Sequence, residues 1–239
     1  MSIVEMLVAA YGSCDIDKIR SHAPDRGRVF VSKGHSAAAV YSVMHHYGLI
    51  DDDTVRTYHK DGSLLAGHVS HGAPYVEHST GALGHGISVA TGCALGLKSK
   101  GYENAKVFAL LGDGELQEGS VWEAVMFANH NRLSNLILMI DNNKISSITN
   151  TADVIDLNPL ARRFAAFGLT VQEVDGHDVE ALLTAIATSH RDERPSVLIC
   201  NTVKGKGVIF AEHEPIWHYR SLNDDTYRQA VEHLDRKST

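Results

Sequence analysis

Short, almost continuously apolar runs alternate along the chain with longer helical segments, and this alternation constrains the fold more than any other feature. Residues 106–111, 135–140, 169–174 and 195–203 read as strands, with the short Arg28–Val31 run as a fifth. Unbroken apolarity, rather than every second residue, is what a strand covered on both faces requires. Between them, 35–47, 83–100, 120–131, 159–167 and 178–190 read as helices, and the first, second and fourth are closed by Gly48, Gly101 and Gly168. Glycine just past the last periodic residue is an expected helix stop. The pattern predicts an α/β chain: a doubly wound, mostly parallel sheet flanked by helices. No repeat, low-complexity tract or linker divides it, so residues 1–239 are expected to form a single domain. Ligands of such sheets bind beyond the carboxyl ends of the strands, which directs attention to the residues after each run.

Composition removes several function classes. The net charge of −7 disfavours a nucleic-acid or anionic-membrane partner, since both need clustered cations. No apolar run approaches the roughly 20 residues of a membrane span; the best is 136–140. Glu5 lies within the first apolar stretch and no basic leader precedes it, so no signal peptide is expected. Cys14, Cys93 and Cys200, odd in number and far apart, suit a reducing cytoplasm rather than a disulfide framework or a zinc knuckle. The 15 histidines invite a metal hydrolase reading, but no His-Glu-x-x-His pairing or comparable ligand cluster accompanies them.

Two strand ends carry the chemistry. One reads Gly112-Asp113-Gly114-Glu115 and continues to Glu118-Gly119; the other reads Asp141-Asn142-Asn143-Lys144-Ile145-Ser146. Asp113 and Asn143 are 30 residues apart, about one strand–helix–strand unit, which returns the chain to the same sheet edge. A carboxylate and an amide would then face one crevice, a hard-oxygen set suited to Mg²⁺ with waters and phosphate oxygens. Gly112 and Gly114 would permit close approach of an anion and unusual backbone dihedrals. A tight turn and an ordinary loop are the plain alternatives.

Gly112-Asp113-Gly114 followed by Asn143 resembles the thiamine diphosphate motif, and the text from Glu118 to Ala124 is similar to transketolases in particular. Ser32-Lys33-Gly34-His35-Ser36, Gly67-His68, Ser79 to Gly86, Val203 to Gly207 and Trp217-His218 match the same family in the same order. The resemblance runs from about Val29 to about Arg220, and the length corresponds to the amino-terminal, diphosphate-binding half. It implies the thiamine diphosphate-binding fold and an amino-terminal subunit of a split transketolase.

The resemblance also implies roles. Asp113, Asn143 and the backbone carbonyl of Ile145 would ligate Mg²⁺, for which Ca²⁺ or Mn²⁺ can substitute. His35 and His218 would donate to the diphosphate, with Gly112 and the Gly114 backbone beside it. His68 would lie near the thiazolium ring and the substrate hydroxyls, and Gly81 and Leu83 against the aminopyrimidine. Glu118 would meet, across a subunit interface, the activating glutamate of the absent half, which places it with His68 and His218 among the catalytic candidates. His85 is left without a role. His45, His46, His59, His71, His78, His130, His177, His190, His213 and His233 read as surface or core, and Asp51 as a helix cap.

The implied partner is a carboxy-terminal subunit carrying the pyrimidine-binding domain, in a heterotetramer of two plus two, acting on a sugar or sugar phosphate. The implied reaction moves a two-carbon ketol unit from a ketose to an aldehyde. Another acyloin-forming enzyme of deoxyxylulose-phosphate synthase type, or a non-catalytic cofactor-binding remnant, fits the same motifs. The resemblance also implies a Ser-Gly-His-Pro-Gly-type segment before the first helix, which would supply a histidine to the substrate channel. The sequence opens at Met1 on text similar to the remainder of that helix, so either the start is truncated or misassigned or that contact is absent. Lys204 and Lys206 read as a mobile cationic loop near His218 or as an exposed turn.

Overall fold

The computed structural model describes residues 1–189 and 193–235. Helices α1 (Val4–Gly12) and α2 (Ile16–Arg20) lead to strand β1 (Arg28–Val31), then α3 (Ala37–His46), α4 (Asp52–Val55) and, after a long loop, α5 (His85–Ser99). Strand β2 (Val107–Gly112), α6 (Gly119–His130) and β3 (Leu136–Asn142) follow. The remainder is α7 (Thr151–Val154), α8 (Leu160–Ala166), β4 (Thr170–Asp175), α9 (Val179–Thr188), β5 (Ser196–Asn201) and α10 (Asp224–Asp235). The sheet order is β1-β2-β3-β5-β4, and every pairing is parallel.

The apolar strands feed two cores. Successive side chains of a strand point to opposite faces. Phe108, Leu110, Ile137, Met139 and Leu198 pack with residues of α1, α3 and α9 on one face. Val107, Ala109, Leu111, Leu138, Ile140 and Ile199 pack with residues of α5, α6 and α8 on the other. The sheet is therefore doubly wound, as the sequence predicts. β4, at one edge of the sheet, is half-buried to exposed along its length, whereas β1 at the opposite edge is mostly buried.

All five expected strands and the five expected helices are present, shifted by one or two residues at most ends. Gly48, Gly101 and Gly168 each take the left-handed backbone that stops a helix. Asp178 caps α9 by accepting from the Ala181 N–H at 3.0 Å, and Asp51 caps α4 by accepting from Thr54 at 2.8 Å; such caps contribute about 1 kcal/mol each. His190, expected at the end of the α9 segment, lies outside the described residues. His45 bonds Asp52 at 2.7 Å, an ordinary surface pairing.

The helix α10 is not anticipated by the strand–helix pattern. Its signal is a reciprocal cap: Asn223 Oδ1 accepts from Thr226 N–H, and Thr226 Oγ1 accepts from Asn223 N–H, both at 2.9 Å. Among the described residues, no helix is long and apolar enough to cross a membrane.

Phe164 of α8 is fully buried and its ring lies 5.1 Å from that of Trp122 in α6. Phe164→Ala is expected to destabilise the fold by about 3–5 kcal/mol, read as a lower urea midpoint. Met126→Ala, at a half-exposed position of α6, should change it by less than about 0.5 kcal/mol.

Candidate functional site

The carboxyl ends of β1, β2, β3 and β5 open on one side of the sheet, and an ion pair closes the floor between them. Lys33, just after β1, pairs with Asp141 of β3, and both side chains are buried. Asp141 also accepts from Ser2 Oγ at 2.6 Å and from Thr202 Oγ1, just after β5. Burial alone would push this carboxyl up; the charge and hydrogen bond of Lys33, with the two hydroxyls, outweigh it and hold Asp141 at about 2.

Asp113 follows β2 beside this pair. Its Oδ1 accepts from Gly114 N–H at 2.7 Å and its Oδ2 from Lys144 N–H. Lys144 takes a left-handed backbone, with φ of 65°, to present that N–H. The contact brings the loops after β2 and β3 together, so Asp113 and Asn143 are neighbours, both buried. Burial first, and the Asp141 charge second, push Asp113 up to about 6. A carboxylate so placed, with the nearby ammonium already engaged, is a position that favours a cation.

The donor set fits a hard divalent ion. Asn143 Oδ1 accepts from Ile145 N–H at 3.1 Å, which orients the amide and leaves a second lone pair. Ile145 bridges Asn150, but the bridge's hydrogen bonds run from Thr151 N–H to Lys144 O and from Ser146 N–H to Thr149 O. The Ile145 carbonyl is thus left out of the ladder. One carboxylate, one amide oxygen and one carbonyl suit Mg²⁺ completed by water and phosphate. Among the described residues no group of three or more His, Cys, Asp or Glu offers an alternative metal site.

A cavity of about 450 Å³ adjoins this point and is lined by Lys33, His35, Asn143, Lys204 and His218, with apolar walls from Phe210 and Trp217. The His35 and His218 rings lie 4.8 Å apart. Surrounding protein, then the charge of Lys33, pull His35 down to about 3, although the residue keeps an exposed side toward the cavity mouth or solvent. His218 is lowered as well, by burial first and then by Lys204 and Lys33. Both rings are therefore neutral near pH 7 and each carries a single N–H donor.

His68 is held near this cluster by backbone. Val69 N–H donates to Gly34 O at 3.1 Å, Thr80 N–H to Val69 O at 3.0 Å, and Thr80 Oγ1 to Val31 O at 2.8 Å. Gly81 lies alongside, where a Cβ would stand 3.6 Å from His68 Cδ2. Leu83 and Glu118 are also exposed, and Glu118 lies against Gly84. His35, His68, Gly81, Asp113, Asn143 and His218 thus gather at one end of the sheet, whereas Leu83 and Glu118 mark its open rim.

Three expectations need correction. Gly112 and Gly114 have no left-handed dihedrals, and a Cβ at Gly112 would meet nothing. Gly112 leaves open space, and a Cβ at Gly114 would stand at ordinary contact distance, 3.7 Å from Ser146 Cβ and 3.8 Å from Thr151 Cγ2. The loop bearing Lys204 is not an exposed turn, because Lys204 is half-buried and its Nζ lies 3.2 Å from His218 Nδ1. His177 is more than surface or core: its Nε2 accepts from Val203 N–H at 2.8 Å and its Nδ1 faces Glu5.

The sequence reading gives no role to Lys33, Asp141 or Glu115. Glu115 is buried and accepts from Ser32 Oγ, from Gly84 N–H at 2.8 Å and from Gly112 N–H at 3.3 Å. It fastens the β1 end, the loop before α5 and the β2 end together. Burial raises its pKa despite those donors. A charged residue directly abutting an apolar run was the available signal for Asp141; Lys33 and Glu115 lie further along their loops, where a charge is ordinary.

Lys33→Met is expected to cost about 3–5 kcal/mol in urea unfolding, because it strands a buried carboxylate. Adding Asp141→Asn should recover much of that loss. In proton–carbon NMR, the His35 ring should not titrate between pH 8 and 5. Since its folded pKa lies below its unfolded one, its contribution to stability is present above about pH 6.5 and fades as pH falls toward 3.

Comparison with known proteins follows the same lines. The family model "Transketolase, thiamine diphosphate binding domain" matches residues 4–237. The chain is 40% identical over 212 residues to one subunit of the apulose-4-phosphate transketolase of Actinobacillus succinogenes, covering 88% of this chain and 76% of that one. It is 34% identical to the 6-deoxy-6-sulfo-D-fructose transketolase subunit SqwG of a Clostridium species, covering 99% of this chain and 87% of that one. The solved transketolase of Campylobacter jejuni superposes with a TM-score of 0.82 at 27% identity, over 97% of this chain and 41% of that one. The chain thus spans about two fifths of the length of that full transketolase. It belongs to the transketolase family.

Proposed function

We propose, on the footing of that membership, that this chain is the diphosphate-binding subunit of a split transketolase. The observation that carries the reading is the buried pairing of Asp113 with the Asn143 loop at neighbouring strand ends, beside a cavity lined by two neutral histidines and two lysines. Asp113, Asn143 and the Ile145 carbonyl would hold Mg²⁺, and the metal would clamp the diphosphate of thiamine diphosphate. When bound, that cofactor supplies a carbanion that breaks and re-forms a carbon–carbon bond next to a carbonyl.

The chain's own residues supply the setting. His35 and His218 donate N–H groups to the diphosphate, and Lys33 and Lys204 lower the cost of burying its charge. His68, exposed beside Gly81, is placed to exchange protons with substrate hydroxyls. Gly81 and Leu83 offer backbone and an apolar wall to the aminopyrimidine.

Glu118 and Leu83 at the rim, with Val89, Met126 and Phe127 exposed on α5 and α6, face outward as a surface for the pyrimidine-binding partner. A two-plus-two assembly follows from the family's two-fold pairing of such halves. The names of the two relatives, each given as a subunit, support a divided enzyme. Each specifies a sugar with an anionic group, and a ketose of that class is the proposed donor. The three free thiols fit a reducing cytoplasm.

Asp113→Ala is expected to weaken Mg²⁺-dependent binding of thiamine diphosphate by about a hundredfold or more, read by calorimetry. Undiminished binding would refute the ligand assignment. Ketol transfer should require the partner, and robust turnover by the isolated chain would contradict the divided site.

A further inference from the structure

His218 cannot place its proton freely. Lys204 Nζ lies 3.2 Å from His218 Nδ1. An ammonium group has hydrogens and no lone pair, so Nδ1 must be the acceptor. A neutral imidazole that accepts at Nδ1 carries its hydrogen at Nε2.

Lys204 is itself fixed by a strap that begins far away in the fold. Val203 N–H donates to His177 Nε2 at 2.8 Å, which leaves the proton of that ring on Nδ1. This Nδ1 stands 3.2 Å from Glu5 Oε1 in α1, a charge contact without hydrogen-bond alignment. On the other side, Lys204 O accepts from His213 N–H at 3.0 Å. Gly205 follows with φ of 78°, so close to Ala211 that a Cβ would stand 2.3 Å from its carbonyl oxygen. The loop is clamped at both ends, and the lysine side chain leaves it toward the cavity that His218 lines.

We infer that Lys204 is a positioning residue that holds His218 in the neutral, Nε2-protonated tautomer, so that the ring presents a donor to an anion in the cavity. The opposite tautomer would turn a lone pair toward phosphate oxygens. An imidazolium would place a further positive charge beside Lys33 and Lys204. The identity of the anion as a diphosphate rests on the reading under Proposed function; the tautomer does not.

The test is long-range proton–nitrogen NMR of the histidine-labelled full chain, with magnesium pyrophosphate as the probe. In the unmodified chain His218 should show a protonated Nε2 and an unprotonated Nδ1. Lys204→Met should let the ring populate both tautomers and weaken pyrophosphate binding roughly tenfold or more. Lys204→Arg, which restores a cationic donor, should recover both signals. A Nδ1-protonated ring in the unmodified chain overturns the inference, and needs no variant to fold. So does a His218 tautomer left unchanged by Lys204→Met. A locked ring in a chain that does not bind pyrophosphate upholds the tautomer and defeats the diphosphate reading instead.

Discussion

The ion pair between Lys33 and Asp141 is the contact on which the upper end of the sheet depends. It spans from β1 to β3 across the intervening β2, and hydroxyls from Ser2 and Thr202 complete it. Four segments distant in sequence therefore meet at one carboxylate that is fully shielded from solvent. Burying charge in this way contributes little net stability, but it leaves few alternative arrangements for the loops it joins. The arrangement also sets the character of Asp113. With Lys33 engaged by Asp141, the hydrogen-bond partners of Asp113 among the described residues are backbone N–H groups, and its affinity for a cation follows from that division of charges.

A second buried carboxylate, Glu115, performs the same mechanical task one strand over and through different chemistry. It gathers N–H and O–H donors instead of an ammonium group. Together the two acids shape a crevice whose ligand-facing groups are otherwise on loops. Loops position side chains well only where their own backbone is tied down. The loop carrying His68 is tied by Val69 and Thr80, and the loop carrying Lys204 by His177.

Much of the architecture is legible in the sequence because both signals are strong. Four apolar runs are long enough to be strands, the four-residue Arg28–Val31 run is a weaker fifth, and Gly48, Gly101 and Gly168 mark helix ends. The spacing of Asp113 and Asn143 likewise reports a shared sheet edge. Contacts that need three dimensions are not legible. Lys33 and Asp141 are separated by 108 residues, and nothing in their local text pairs them. His177 looks like any polar turn residue until Val203 is placed above it. The helix α10 lies beyond the alternation of strands and helices. Tyr227, Ala230, Val231 and Leu234 do recur on it at helical spacing, but its other residues are polar and, among its described residues, Ala230 alone is buried.

The division of the interior into two separate apolar layers has a further consequence. Adjacent residues of one strand, such as Phe108 and Ala109, belong to different laminae. Sequence drift beneath α5 and α6 is thereby insulated from the layer under α1, α3 and α9, whose first helix supplies Glu5 to the strap. The outward-facing helices can be remodelled for a new docking surface while the anion grip at the strand tips keeps its tuning.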